Sequence, residues 1–382
     1  MIYLNNAATT WPKPESVYKE MDYFFRNMGV NPGRSQSSKN MSAAHKIFET
    51  REKIAKFLGI GDSSHLVFNS GATESLNTVI KGVLSKNDHV ITTSLEHNAV
   101  IRPLEKLKKE RNIEVTYLKI NEVGEIDYEE LRNSIKNNTK LIITTHASNV
   151  IGTLLDIKKI AEIAEEAGVY YLVDAAQSAG VFPIKAEEWG IDFLAVPGHK
   201  SLYGPPGIGT LYIRDSENIN TFKEGGTGSN SLSKTQPEVM PDRFEAGTPN
   251  TPGIIGLGAG IDFILEKGRE NIHQKEIELL KLLLEGLEYI SAVKIYGKRS
   301  IEERTAVLGF NISDMGANQT AFKLENDYGI QLRSGLHCAP LLHESLGTID
   351  QGMVRVSISY FNKKSDIENL IKAVSVIADN KN

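Results

Sequence analysis

From His65 to Ile213 the chain repeats one pattern. Short apolar runs near 65–68, 89–93, 114–119, 141–145, 170–174, 192–196 and 208–213 are separated by turn residues and longer segments. Each run is too short for a helix and shows little period-two alternation, so both of its faces must be buried. Between them, 72–84, 98–111, 127–136 and 156–167 carry helical apolar spacing. Strands buried on both faces and alternating with amphipathic helices predict an α/β architecture. It is a mostly parallel seven-stranded sheet flanked by helices. Ligands of such sheets bind beyond the carboxyl ends of the strands.

Outside that core, Lys13–Met28 and Met41–Leu58 have helical spacing, and a polar, turn-rich loop joins them at Gly29–Ser38. Residues 215–251 are rich in Gly, Ser, Thr and Pro and read as a long connection. Ile254–Glu288 is helical. Strand-like runs at Val293–Tyr296, Val307–Ile312 and Val354–Ile358 then alternate with helices near 318–328 and 365–379. The expected division is a large domain at 12–254 and a small α+β domain at 255–382, joined by an N-terminal arm, 1–11.

The apolar fraction of 40% and a net charge of −5 without long runs of one sign suit a soluble enzyme-sized protein. They predict no nucleic-acid partner and no membrane partner. The polar N-terminus has no signal-peptide core, so a cytoplasmic location is expected. Cys338 is the only cysteine. An internal disulfide is therefore impossible, and no metal site is expected.

The most informative loop lies between the last two runs of the sheet, Pro197-Gly-His-Lys-Ser-Leu-Tyr-Gly-Pro-Pro-Gly-Ile-Gly209. Alone, Lys200 reads as a solvated loop lysine. Withdrawn from water it becomes a usable amine nucleophile. An earlier strand, Tyr170-Tyr-Leu-Val-Asp174, ends on a carboxylate. Together the two groups suit pyridoxal phosphate. The lysine forms the imine with the cofactor, and the acid keeps the pyridine nitrogen protonated so that the ring accepts electrons.

Tyr3-Leu-Asn-Asn-Ala-Ala, Val173-Asp-Ala-Ala-Gln177, Gly198-His-Lys200 and Phe244-Glu-Ala-Gly-Thr-Pro-Asn-Thr251 together resemble the class V aminotransferase-like enzymes of fold type I. Within them they resemble the cysteine desulfurases. The resemblance runs from the arm to the last helix. It implies that Ala72 and Thr73, opening a helix after a strand, hold the cofactor phosphate. His97 would stack on the ring and shuttle protons. Asn149 would bond the phenolic oxygen and lie beside the substrate. Asp174 would pair with the ring nitrogen, Gln177 would lie beside the ring oxygen, and His199 would contact the phosphate. Thr248 would reach the phosphate of a neighbouring subunit, which implies a homodimer with active sites at its interface. Two departures stand out. Pro197 occupies a position where many relatives have serine, which removes a hydroxyl and an N–H. The Asn31–Ser35 loop also lacks a histidine that some relatives carry near Ser37.

Lysine and aspartate do not by themselves choose a reaction. The stretch Gln331-Leu-Arg-Ser-Gly-Leu-His-Cys338-Ala-Pro resembles the catalytic loop of the group II cysteine desulfurases, a subgroup that includes selenocysteine-lyase-like proteins. A buried cysteine is ordinarily inert. Here Arg333 and His337 are expected to supply the positive potential that favours a thiolate. Arg355, inside the apolar Met353–Ser357 run, needs an anionic partner, and a bidentate clamp on an amino acid's carboxylate fits. Arg333 is a second candidate for that carboxylate. The expected activity converts L-cysteine to L-alanine and leaves the sulfur on Cys338 as a persulfide for a sulfur-acceptor protein. Iron–sulfur assembly, RNA thiolation and selenium delivery all use such donors. The alternatives are a lyase acting on L-selenocysteine, another β-lyase and an aminotransferase. Outside pyridoxal chemistry they are a nucleotide-binding α/β protein, disfavoured by the missing dinucleotide fingerprint, and a non-catalytic scaffold.

Overall fold

The computed structural model describes residues 1–32, 37–229 and 231–379. Its main sheet has seven strands in the spatial order Leu66–Asn69, Gly209–Ile213, Phe193–Pro197, Tyr170–Asp174, Thr139–Thr145, His89–Thr93 and Glu114–Leu118. Every expected strand of this sheet is present. Six run in one direction, and Gly209–Ile213 is antiparallel to both of its neighbours. Its reversal follows from a loop of eleven residues, 198–208, which is too short for a right-handed crossover carrying a helix.

Helices Ala72–Val83, Asn98–Arg111 and Ile157–Glu166 follow their strands as expected. Ile157–Glu166 buries Ile157, Ile160, Ala161, Ile163 and Ala164, a stripe at helical spacing. Tyr128–Asn133 is shorter than the expected 127–136 segment. The expected first helix is α-helical only over Glu15–Tyr23 and continues as one π-turn, Phe24–Met28. The loop expected between it and helix Ser38–Phe57 falls partly on residues 33–36, outside the described residues, and so does the segment carrying the histidine departure.

The single helix expected over 254–288 is two helices, Thr251–Lys267 and Arg269–Glu288. Gly268 separates them with φ +81, a conformation that ends a helix at little cost only for glycine. The boundary expected at 254 falls inside the first helix. Ile254, Leu257, Ile261 and Ile264 of that helix belong to the core under the main sheet. Ile277, Leu280, Leu283 and Leu287 of the second belong to another core. That second core covers an antiparallel sheet in the order Arg333–Gly335, Met353–Ser357, Val307–Ile312, Val293–Tyr296. The arm joins it, because Ile2–Tyr3 pairs in parallel with Ile330–Gln331 and Asn5 bridges to Ser357. Among the described residues no helix is long and apolar enough to cross a membrane.

Candidate active site

A cavity of about 310 Å³ opens at the carboxyl edge of the main sheet. Its walls come from five strand ends and from the second sheet. Ser70–Thr73 follow Leu66–Asn69, and His97 follows His89–Thr93. Thr145 and Asn149 follow the next strand, Asp174 and Gln177 the next, and Pro197, His199 and Lys200 the last. Arg333 and Arg355 close the far side, and Ala7 and Ala8 of the arm complete the lining.

Lys200 is carried by the antiparallel connection. The Gly198 N–H donates to the Ile208 carbonyl and the Gly204 N–H to the Gly198 carbonyl, so the loop closes on itself. A side chain at Gly180 would meet the Ser201 carbonyl oxygen at 1.8 Å, so the loop seats directly on bare backbone there. Burial pushes the Lys200 amine down to about 8. Asp174 opposes the shift, while the guanidinium groups of Arg355 and Arg333 add to it. Among the described residues no carboxylate lies within ion-pairing distance of this amine. With its pKa at about 8, roughly a tenth of the amine is neutral at pH 7 and about half at pH 8, and the neutral form is the state a nucleophile or base requires.

Asp174 ends its strand with its side chain buried. One carboxyl oxygen accepts the Ala176 N–H at 2.9 Å. Burial raises its pKa, and Lys200 pulls it back. A protonated ring nitrogen set against it would stabilise its carboxylate further. Next to it lies Glu96, which sequence reasoning passed over. Glu96 is fully buried. One of its oxygens accepts from the Thr93 hydroxyl at 2.7 Å and the Thr145 N–H at 3.0 Å, and the other has no partner among the described residues. It thereby ties together the ends of two adjacent strands.

Burial lifts the Glu96 carboxyl to about 8, with Asp174 adding to the effect. A folded pKa above the unfolded one means that the folded state holds an extra proton between roughly pH 4.5 and 8. The protonated acid's contribution is complete below that window and is lost as pH rises through it. Glu96→Gln keeps the accepting oxygen and cannot ionise. The variant should match the parent at pH 5 and exceed it at pH 9, by on the order of 1–3 kcal/mol. Urea titration at the two pH values measures this, and an equal difference at both would rule the titration out.

His97 is the N-cap of helix Asn98–Arg111. Its Nδ1 accepts the Ala99 N–H at 3.0 Å, which leaves the proton on Nε2. Burial, reinforced by Lys200 and Arg333, pushes it down to about 4, so the ring is neutral and able to stack on a planar ligand. His199 is also neutral, lowered to about 4 by burial and then by Lys200 and Lys13. Its buried Nδ1 has no partner among the described residues. Lys13, another residue not singled out from sequence, donates to the His199 carbonyl and the Thr10 hydroxyl at 2.6 Å. Ala72 and Thr73 open helix Ala72–Val83, where the first backbone N–H groups lack intrahelical partners and favour an anion. Gly71, at φ +141, turns the chain into that helix. A side chain at Gly209 would meet its Cα at 2.6 Å, so the strand and this turn touch as bare backbone.

Gln177 donates to the Ala7 carbonyl at 3.1 Å and so fixes the arm against the cavity. Asn149 donates from Nδ2 to the His337 carbonyl at 2.8 Å. Thr248 is exposed and outside the cavity. It lines a separate cleft with Ser70, Glu74, Lys223 and Asn250. The Lys223–Glu74 ion pair at 2.7 Å crosses that cleft.

Arg333 and Arg355 face each other across the antiparallel strands Arg333–Gly335 and Met353–Ser357. Like charges opposite one another destabilise a sheet unless an anion lies between them. Arg355 is 1% exposed, yet it lines the cavity. Its guanidinium donates to the Asn149 carbonyl and to Asn5 Oδ1, both at 2.9 Å, while Nε has no partner among the described residues. Burial and then Arg333 push its pKa down to about 9. Set opposite Arg333 at the cavity, this guanidinium can serve as a clamp for a carboxylate.

Cys338 is half-buried just behind that clamp and does not line the cavity. Arg333 Nη2 lies 3.4 Å from its sulfur. The expectation that His337 adds positive charge is corrected. Its ring turns into the core, Nε2 lies 2.9 Å from the Met353 carbonyl oxygen, and burial lowers it to about 2. It is a neutral anchor. Both His337 (φ 49) and Cys338 (φ 61) are left-handed, which costs about 1 kcal/mol for each non-glycine residue.

The cavity fits pyridoxal phosphate on its own features. It has an amine with no salt-bridge partner among the described residues, a buried carboxyl, a neutral capping imidazole, a helix N-terminus, and a His199 nitrogen without a partner among the described residues. The arm residues Asn5, Ala7 and Ala8 carried no signal of their own beyond the small, polar Asn-Asn-Ala-Ala string.

A family model described as Aminotransferase class-V matches residues 2–370. A probable cysteine desulfurase of Methanothermobacter thermautotrophicus is 35% identical across 99% of this chain and 94% of its own length. The apo structure of a cysteine desulfurase from Thermococcus onnurineus superposes with a TM-score of 0.93. It is 32% identical over 99% of this chain and 94% of that one. The Escherichia coli cysteine desulfurase CsdA, in an S-sulfonic acid form, gives 0.89 and 30% identity over the same shares. The continuous match, from the arm that lines the cavity to the last helix, places this chain in the class V aminotransferase family, with the fold of the type I pyridoxal enzymes.

Proposed function

We infer that the protein is a pyridoxal-phosphate-dependent cysteine desulfurase that moves the sulfur of L-cysteine onto Cys338. The observation that carries this reading is a chain of neighbours. Lys200 lines the cavity together with Arg333 and Arg355, and Arg333 Nη2 in turn lies 3.4 Å from the sulfur of Cys338, the chain's single thiol.

Lys200, Asp174, His97, His199, Gln177 and the Ala72–Thr73 helix start would hold the cofactor, and Asn149 would meet its phenolic oxygen. When bound, pyridoxal phosphate supplies an electron sink for the substrate's α-carbon. Arg355 fixes the amino acid by its carboxylate and so aims the side-chain sulfur at the rim, with Arg333 beside it. Lys200 takes the α-proton as its neutral amine and returns a proton as the ammonium. Cys338 attacks the substrate sulfur. The S–S bond forms as the C–S bond breaks, and the electron pair of that bond stays with the carbon fragment, which is protonated and leaves as alanine. The test is to incubate the cofactor-loaded protein with L-cysteine, quantify alanine, and weigh the Cys338 peptide in the same sample. One alanine per added sulfur on Cys338 is expected, and alanine without modified Cys338 would reject the reading.

The finer features belong to the same proposal. A homodimer with Thr248 serving the neighbouring subunit accounts for the exposed cleft beside Ser70. It also accounts for the exposed Tyr18, Tyr23, Phe25, Met41 and Phe48 on the first two helical segments. A monomeric sedimentation coefficient would refute it. A persulfide at a half-buried rim needs an acceptor that comes to it, in keeping with a sulfur-acceptor protein in the cytoplasm. Failure of any cell extract to discharge the persulfide would count against that partner. The division between large and small domains falls, on this proposal, between Ile272, which still packs in the first core, and Ile277, which packs in the second.

A further inference from the structure

The turn that carries the thiol is held at consecutive carbonyls from two directions. The Asn149 amide donates to the His337 carbonyl at 2.8 Å, and the Asn98 backbone N–H donates to the Cys338 carbonyl at 2.7 Å. Asn149 lines the cavity itself, and Asn98 directly follows the lining residue His97. Neither donor is free to drift. The Asn149 carbonyl is gripped by Arg355 at 2.9 Å, and the Ile151 carbonyl by the fully buried Arg304 at 3.1 Å. Asn98 is the first residue of a helix of fourteen residues whose cap is His97. On the other side of the tethers, His337 and Cys338 both have positive φ, a backbone that is strained for non-glycine residues and relaxes when released.

We propose that Asn149 and Asn98 form a latch that sets the resting position of Cys338, so that the residues shaping the cofactor pocket also position the thiol. Asn149 is then a positioning residue for sulfur transfer. An amide nitrogen has two hydrogens. One is committed to the His337 carbonyl, and the other remains for an oxygen in the cavity. Arg355 adds a second connection. Its guanidinium holds the Asn149 backbone and is the group that meets the substrate carboxylate, so arrival of that anion bears on the tether. The proposal rests on the desulfurase reading only for its biological purpose, since the latch is a property of the folded chain.

The lone cysteine makes the test unambiguous. Alkylation of Cys338 by iodoacetamide is followed in the cofactor-free and cofactor-loaded protein without substrate. Asn149→Ala removes one tether. Asn98→Pro removes the other while suiting its site. Proline is well tolerated at the first helical position, and His97 already has the extended backbone (φ −69, ψ 153) that a following proline requires. Each variant should alkylate roughly three- to tenfold faster, the effect of losing one hydrogen bond. The double variant should exceed either one. The midpoint of the pH profile should not move, because Arg333 still faces the sulfur. Rates within twofold of the parent in all three variants, or a shifted midpoint without a faster plateau, would overturn the latch. If alkylation responds but cysteine yields no alanine, the latch stands and the desulfurase reading fails. If alanine forms while alkylation is unmoved, the reverse holds.

Discussion

Lys200→Ala should lose the visible absorption of lysine-bound cofactor and form alanine from cysteine at least about 10³-fold more slowly. The size follows from two losses at one atom. On the proposed mechanism the amine is the covalent anchor of the cofactor and also the base that moves the α-proton, a role that alone supplies about 10²- to 10⁴-fold. The structure indicates how a lysine performs base chemistry near neutral pH. Burial lowers it to about 8, and no carboxylate pairs with it among the described residues. Activity of the parent should therefore climb with pH as the neutral amine accumulates and level off above about 8. In Lys200→Ala that limb should vanish. The substitution also removes the cation that counters the burial of Asp174, so the carboxyl should be harder to ionise in the cofactor-free variant. Spectra taken with added pyridoxal phosphate, before and after borohydride reduction, decide the matter. A band equal to the parent's, still fixed to protein by reduction, would mean that another residue is the anchor.

What the sequence made legible was whatever depends on burial pattern or on a charge in the wrong surroundings. The seven strands were readable because both faces are apolar. Arg355 stood out because a guanidinium amid Met353, Val354 and Val356 needs partners, which the structure supplies as the Asn149 carbonyl and Asn5 Oδ1. Directions and rings were not readable. His337 stands next to Cys338 in sequence, yet its ring leaves the site for the core, because the left-handed backbone turns alternate side chains apart. Glu96 looked like an ordinary acidic residue at a helix start. Its meaning comes from Thr145, 49 residues away, which uses its oxygen to close the sheet edge. The break at Gly268 was hidden inside an uninterrupted helical pattern, since one glycine costs a helix only about 1 kcal/mol and does not announce a change of core. The arm's share of the cavity was equally silent, because Ala7 and Ala8 act through backbone and small size.

Cys338→Ala separates the two halves of the proposed chemistry. The thiol does not line the cavity, and none of the cofactor-site hydrogen bonds uses its side chain. The variant should therefore bind cofactor with the parent's visible spectrum. Sulfur transfer should fall by about 10²-fold or more, because the S–S bond has no other nucleophile to form with, Cys338 being the chain's single cysteine. Removing the side chain also releases Arg333 Nη2 from its contact with the sulfur, and both arginines still line the cavity. The Michaelis constant for cysteine should fall or hold steady while kcat collapses, the signature of a group that acts on the bond being broken rather than on binding. Cys338→Ser tests the same point with the hydrogen bond to Arg333 retained. A hydroxyl cannot carry a persulfide, so serine should restore the contact and not the activity. If either variant transfers sulfur at the parent's rate, the rim thiol is not the acceptor, and the sulfur must leave the cavity without a covalent stop on this chain.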